Sequence, residues 1–221
     1  MTHTDIINLL IEKFGFKKYL EIGIDNPNNN YFKINAEEKE CVDPFIVTEG
    51  GFKDLQETLP EEEREDIIKN VITYRMTSDE MFDILPSDKK YDIIFVDGLH
   101  TEEQVGRDII NSFKHLNKGG IVVIHDCLPI NEDAQAIPRI TSVWNGSVWK
   151  AIPMLLTQGI SYSVVDCDFG NGILRFDGDA DSLTSLPTAD FNYKNVFESE
   201  YIRNMVMHTV TEEDFIAWIN S

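Results

Sequence analysis

The feature that most limits the fold of this chain is the spacing of its short, continuously apolar runs. Tyr91-Asp92-Ile93-Ile94-Phe95-Val96-Asp97 and Ile121-Val122-Val123-Ile124-His125-Asp126 are short and rich in β-branched residues, and a helical pattern separates them. Runs that stay apolar without alternating belong to strands covered on both faces, which means a parallel sheet between two layers of helix. The same alternation fills the rest of the first half. Ile6, Ile7, Leu9, Leu10 and Phe14 recur at helical spacing up to a stop at Gly15, and residues 19–24 read as the first strand. Residues 40–44 read as the second strand, 60–69 as a charged helix and 71–74 as the third strand. A helix opens at Ser78, and another runs from Thr101 to about Leu116, where Gly119-Gly120 ends it. After the fifth strand come a helix over 147–156 and two strand-like runs, 162–166 and 173–176. The Gly170-Asn171-Gly172 turn between those runs predicts an antiparallel pair. Two helical patterns, 195–207 and 212–219, close the chain.

Composition narrows the partners. The chain has 221 residues, enough for one sizeable domain and a short appendage, and its 19 Lys and Arg against 39 Asp and Glu give a net charge of −20. Such a field repels a phosphate backbone, so nucleic acid is not expected as a partner. There is neither a bilayer-length apolar stretch nor a basic-flanked apolar leader, so a cytoplasmic protein away from membranes is expected. Cys41, Cys127 and Cys167 are odd in number and far apart, which fits reduced thiols rather than a disulfide framework. His3, His115 and His208 have no partner at ligand spacing and read as surface residues.

In an open parallel sheet, ligands gather beyond the carboxyl ends of the strands. The residues there are Gly23 and Asp25, then Asp43, then Thr77, Ser78 and Asp79, then Asp97 and His100, then His125 and Asp126. Gly23 lets backbone approach a ligand closely, and an acidic side chain at the end of the second strand, Asp43, can accept from both hydroxyls of a ribose. A tight turn beside a surface aspartate is the alternative. Neither a full G-x-G-x-x-G nor a phosphate-loop motif is present, which weakens a nicotinamide-dependent oxidoreductase and, further, a kinase.

With Val96-Asp97-Gly98-Leu99-His100 after the fourth strand and Gly119-Gly120 followed by His125-Asp126 after the fifth, the sequence resembles the class I S-adenosylmethionine-dependent methyltransferases. Within them it is similar to the group that includes sugar and small-molecule O-methyltransferases. The resemblance runs from about Lys18 to Trp149. It implies an α/β, Rossmann-like, doubly wound and mostly parallel seven-stranded sheet ending in an antiparallel hairpin. That domain would span residues 1–177, and residues 178–221 would form a helical extension serving as lid or dimer contact. The resemblance further implies that Glu21 and Gly23, with the turn at Asp25, line the methionine and ribose of the cofactor. Asp43 would bind the ribose hydroxyls, Ser78 and Asp79 would lie near the adenine, and Asp97 beside the methionine moiety. Asp25-Asn26-Pro27 stands where many relatives carry a second glycine.

The same resemblance implies a divalent metal, magnesium or manganese, at Asp97, His125 and Asp126. A histidine among the ligands suits manganese better than magnesium, which prefers oxygen. Alternatively, Asp126 caps a loop and His125 packs on the sheet. His100, three residues after Asp97, is the candidate base, since an imidazole near neutrality can take the proton of an attacking hydroxyl. A helix-start histidine bonded to backbone is the other reading. Trp144 and Trp149 form either an aromatic wall or core. The expected activity is O-methylation of a small polar metabolite or sugar hydroxyl, in a chain able to form a homo-oligomer. A non-catalytic cofactor-binding domain is the remaining alternative.

Overall fold

Thr2 opens helix α1 (His3–Phe14): its hydroxyl accepts from the Asp5 N–H and the Asp5 carboxylate reaches back to the Thr2 N–H, while Gly15 ends the helix at φ 66°. The computed structural model describes residues 1–25, 27–44, 71 and 73–221, so the expected helix over 60–69 lies outside the described residues. Ile6, Ile7 and Leu10 are fully buried on the sheet side of α1, each contributing about 1.5–3 kcal/mol.

Strands β1 (Lys18–Ile22), β2 (Glu38–Val42), β3 (Tyr91–Val96) and β4 (Leu116–Ile124) are mutually parallel, with β1 between β2 and β3. Strands β5 (Ser161–Val165) and β6 (Asn171–Arg175) form the expected antiparallel pair, and β6 also runs antiparallel to β4. Among the described residues the order is β2-β1-β3-β4-β6-β5-β7, where β7 (Thr209–Val210) pairs in parallel with β5. Successive strands go to opposite sides of β1, so a crevice opens where the carboxyl ends of β1 and β3 diverge.

Four expectations are corrected. Residues 71–74 supply only a Tyr74 to Val42 bridge among the described residues, and the seventh strand is instead β7 at the far edge. Gly119 and Gly120 do not end a helix. Helix α3 (Glu102–Lys114), capped by Thr101, stops at His115, and the glycines lie inside β4, where the register shifts between Tyr91 and Ile93 and Gly119 takes φ 80°. The turn between β5 and β6 precedes Asn171 and is made by Asp168, Phe169 and Gly170, all at positive φ. The helix over 147–156 is short, α4 (Val148–Ala151), because the chain tightens into a 3₁₀ turn at Pro153.

Helix α2 (Ser78–Ile84) starts with a capping box between Thr77 and Glu80. It packs with α3 and α4 on one face of the sheet around the fully buried Trp149, while α1 and α7 (Glu212–Ile219) cover the other. The C-terminal pattern divides at Ser199 into α5 (Tyr193–Phe197) and α6 (Glu200–Met207). Tyr193 and Phe197 stack on each other and meet Trp149 in T-shaped contacts, whereas Tyr201 and Met205 of α6 are exposed.

Candidate functional site

A cleft of about 640 Å³ lies outside the carboxyl ends of β1, β2 and β3. Gly23, Asp25, Asp43, Ser78, Asp97 and His100 all line it. Gly23 is required here by packing: at φ 82° its missing Cβ would fall 2.3 Å from the Asp97 carbonyl oxygen. That approach sets Asp97 directly beside the end of β1. Asp43, buried at the end of β2, accepts from the backbone N–H groups of Ile24 at 3.0 Å and Asp25 at 3.4 Å, so it holds the loop that forms one lip of the cleft.

Two residues of the expected cofactor set stand off the cleft wall. Glu21 is buried under α1, where its Oε2 accepts from the Tyr19 hydroxyl at 2.5 Å and from the Asn30 amide at 3.1 Å. Burial pushes its carboxyl up to about 8 against those two hydrogen bonds. Asp79 turns away to pair with Arg107 of α3 at 3.1 Å. Ser78 stays at the cleft and donates at 2.6 Å to Asp108 of α3, whose other oxygen is buried with no hydrogen-bond partner. Burial raises the Asp108 carboxyl to about 6. The sequence reading missed Asp108, because nothing in a helix interior marks which acidic residue faces a cleft.

The carboxyl ends of β3 and β4 bring the cleft residues Asp97 and His100 together with His125 and Asp126, which do not line the cleft. His100 Nε2 lies 3.4 Å from Asp97 Oδ1, and its Nδ1 lies 3.0 Å from the Trp144 carbonyl and 3.1 Å from Asp126 Oδ2. Its ring stacks on Trp144 at 5.2 Å. His125 Nδ1 lies 3.3 Å from Asp97 Oδ1 and 3.7 Å from Asp126 Oδ1. Asp126 adopts φ 62° and is held by the Asn145 amide at 2.6 Å. Of the two tryptophans, Trp144 lines the cleft and Trp149 is core.

The charges in this group balance one another. Burial works against the charge of Asp97, yet His125, and hydrogen bonds from both imidazoles, hold its carboxyl well below the usual range. Burial likewise opposes a charge on either ring. Asp97 overcomes this for both, with Asp126 adding to the pull, so His100 is raised and His125 raised further. Asp126 is pushed upward by burial, against the attraction of His125 and His100.

Two histidines expected at the surface are not there. His115 is buried with Nδ1 2.9 Å from the Lys89 carbonyl, and His3 joins Asp168 and His125 in a second group of close donor atoms. All three cysteines are free, as expected, with Cys41 and Cys127 buried. No described helix is long and apolar enough to cross a membrane.

Residues 26–127 match the sequence profile of a family described as a methyltransferase domain. No curated protein matches the chain in sequence. Among solved structures, the chain is similar to the O-methyltransferase TomG from Streptomyces achromogenes, involved in tomaymycin synthesis and solved with SAM. That match has 13% identity, a TM-score of 0.53 and 79% of each chain covered. It is similar also to an O-methyltransferase from Bacillus cereus solved with SAH, at 12% identity and a TM-score of 0.51 over 79% of this chain and 80% of that one. A third is the SAH-bound methyltransferase PaMTH1 from Podospora anserina, at 15% identity and a TM-score of 0.50 over 77% and 76%. At these identities the likeness is one of fold.

Proposed function

We infer from the methyltransferase domain at residues 26–127, together with the cleft at the carboxyl ends of β1 to β3, that this chain is an S-adenosylmethionine-dependent O-methyltransferase. The observation that carries the reading is the join, in one cleft, between a ribose-type subsite, Gly23 and Asp43, and an imidazole held against two carboxylates. S-adenosylmethionine, when bound, supplies a methyl group on a sulfonium centre. The unpartnered buried oxygen of Asp108, a residue that lines the cleft, fits a polar, cationic cofactor of that kind. Asp25 and Ser78 would complete the wall, and Asp79 would act from behind it through Gln104, which donates to it at 3.2 Å.

Proton removal falls to His100. Its Nδ1–H is engaged by the Trp144 carbonyl, so Nε2 is the nitrogen that receives the proton of the acceptor hydroxyl, and Asp97 steadies the imidazolium that results. Trp144, flat against the same ring, keeps the imidazole in that plane and offers its edge to the acceptor. For a divalent ion we propose Asp97 and Asp126, whose oxygens lie close together beside a His100 nitrogen, as the carboxylate donors and His125 Nδ1, 3.3 and 3.7 Å from them, as the imidazole, and this mixture of oxygen and nitrogen suits manganese better than magnesium. Such an ion, when bound, lowers the pKa of a coordinated hydroxyl.

The acceptor we propose is a small polar metabolite or sugar hydroxyl rather than nucleic acid, in keeping with the net charge of −20. The free cysteines favour a cytoplasmic setting. Residues 178–221 serve as an extension of the 1–177 domain, and exposed Tyr201, Ile202 and Met205 are its surface for a second copy of the chain. Calorimetric titration of S-adenosylhomocysteine tests the reading: saturable binding is expected, and no heat at high ligand would refute it.

A further inference from the structure

His3 and Asp168 lie outside the cleft, yet they close around His125, the one nitrogen donor of the metal set proposed above. His3 is the first residue of α1, and its Nδ1 lies 2.6 Å from Asp168 Oδ2. Its backbone N–H donates to the same oxygen at 2.9 Å. The ring lies flat on Phe95 at 5.4 Å and meets His125 edge-on at 4.7 Å. Asp168 stands in the turn between β5 and β6 at φ 45°, followed by Phe169 at φ 63°, so this backbone is in a region that side chains disfavour and must be held by its contacts. The Asp168 carbonyl accepts from His125 Nε2 at 2.9 Å.

The consequence lies in which nitrogen of His125 is left. With Nε2–H given to a backbone carbonyl, only Nδ1 of a neutral imidazole carries a lone pair, and Nδ1 is the atom that faces Asp97 and Asp126. A metal-bound histidine ordinarily gives its other N–H to a carbonyl or carboxylate, which fixes both tautomer and ring orientation.

We propose that His3 and Asp168 are positioning residues that present His125 Nδ1 to a divalent ion shared with Asp97 and Asp126, tying the first turn of α1 to the metal site. The proposal rests on the metal reading given above. His3 anchors the Asp168 side chain, the anchored side chain holds the left-handed turn, and the turn aims the carbonyl at Nε2.

Two measurements on the full chain test it, neither of which uses turnover. The first is titration of the metal-stripped protein with Mn²⁺, followed by electron paramagnetic resonance. His3→Phe keeps the ring against Phe95 but has no Nδ1–H, and Asp168→Ala removes the carboxylate. Each is expected to weaken binding about 10- to 100-fold. Asp168→Asn retains an acceptor oxygen and tolerates positive φ, so it should bind within a fewfold of wild type. The second is NMR of the imidazole nitrogens in the Zn²⁺-loaded wild type, where His125 should carry its proton on Nε2 and the ion on Nδ1.

Equal Mn²⁺ affinity in wild type, His3→Phe and Asp168→Ala overturns the positioning role and leaves the metal reading intact. An ion found on Nε2 overturns the positioning role and the metal reading together, because it would belong to the group formed by His3, His125 and Asp168. No Mn²⁺ binding to wild type removes the metal reading itself, and the proposal with it.

Discussion

Gly146 lies so close to His100 that a Cβ at position 146 would fall 1.9 Å from the His100 carbonyl oxygen. The Ser147 N–H donates to that same oxygen at 2.9 Å, and Gly146 holds φ 62°. The loop that carries Trp144 and Asn145 is thus pressed onto the residue assigned as base. Gly146→Ala should destabilise the fold by about 1–3 kcal/mol through the left-handed backbone alone. Because the clash is with backbone, His100 or the loop must also move, and a displacement near 1 Å in a reacting group costs about 10²-fold in rate. Thermal denaturation and kcat/KM measured together check this; an alanine variant with both unchanged would mean that the loop is not seated on His100.

His100 gives a sharper kinetic expectation. Replacing it with alanine should lower kcat by about 10²–10⁴-fold, the usual contribution of a general base, while S-adenosylhomocysteine still binds. The wild-type pH profile carries a sign. Burial favours the neutral ring, but Asp97 and Asp126 outweigh it, so the folded imidazole titrates above the ordinary 6.5. Only the neutral ring can take a proton, so kcat/KM should rise with pH through a limb placed above 6.5 and flatten beyond it. A profile without that limb would assign the proton to another group.

The strands and their ends were legible because parallel, doubly covered strands have no alternative to a continuous apolar run, and the acidic residues that follow β1 to β4 therefore stand out. Gly23, Asp43, Asp97 and His100, placed at strand ends in this way, line one cleft in the structure, and Asp126 lies against His100 beside it. What was not legible depends on contacts remote in sequence. His3 meets Asp168 across 165 positions, through a turn whose left-handed residues include a phenylalanine that no turn preference would select. Residues 71–74 have the composition of a strand but among the described residues give only the Tyr74 to Val42 bridge, whereas Thr209-Val210 is too short to announce itself and yet pairs with β5. Trp144 and Trp149 look alike in sequence, yet one lines the cleft and the other is fully buried in the core, on either side of the Gly146 approach to His100.

Asp43 serves the loop and the ligand at once. Its Oδ2 already accepts two backbone N–H groups from Ile24 and Asp25, which keeps the carboxylate pointed along the cleft lip. Asp43→Ala removes both the loop anchor and the ribose acceptor. Hydrogen bonds to a charged group are worth about 1.5–3 kcal/mol, so affinity for S-adenosylhomocysteine should fall about 10- to 100-fold by calorimetry. Asp43→Asn, which keeps one acceptor oxygen, should lose less. Equal losses in the two variants would point to the charge rather than the acceptor geometry.

Glu21 predicts how stability depends on pH. Its carboxyl is driven from 4.5 to about 8 mainly by burial, against the Tyr19 and Asn30 hydrogen bonds. Between those two values the folded chain holds a proton that the unfolded chain has released, so this group's contribution is full below pH 4.5 and is lost as pH rises toward about 8. At about 1.4 kcal/mol per unit the loss is about 5 kcal/mol. Glu21→Gln cannot ionise, yet its amide can still pair with the Tyr19 hydroxyl and the Asn30 side chain. The variant should therefore match wild type near pH 5 and exceed it in unfolding free energy at pH 8, with a flatter slope between. Denaturant melts across that range measure the difference, and parallel curves for the two proteins would mean that Glu21 is ionised in the folded state despite its burial.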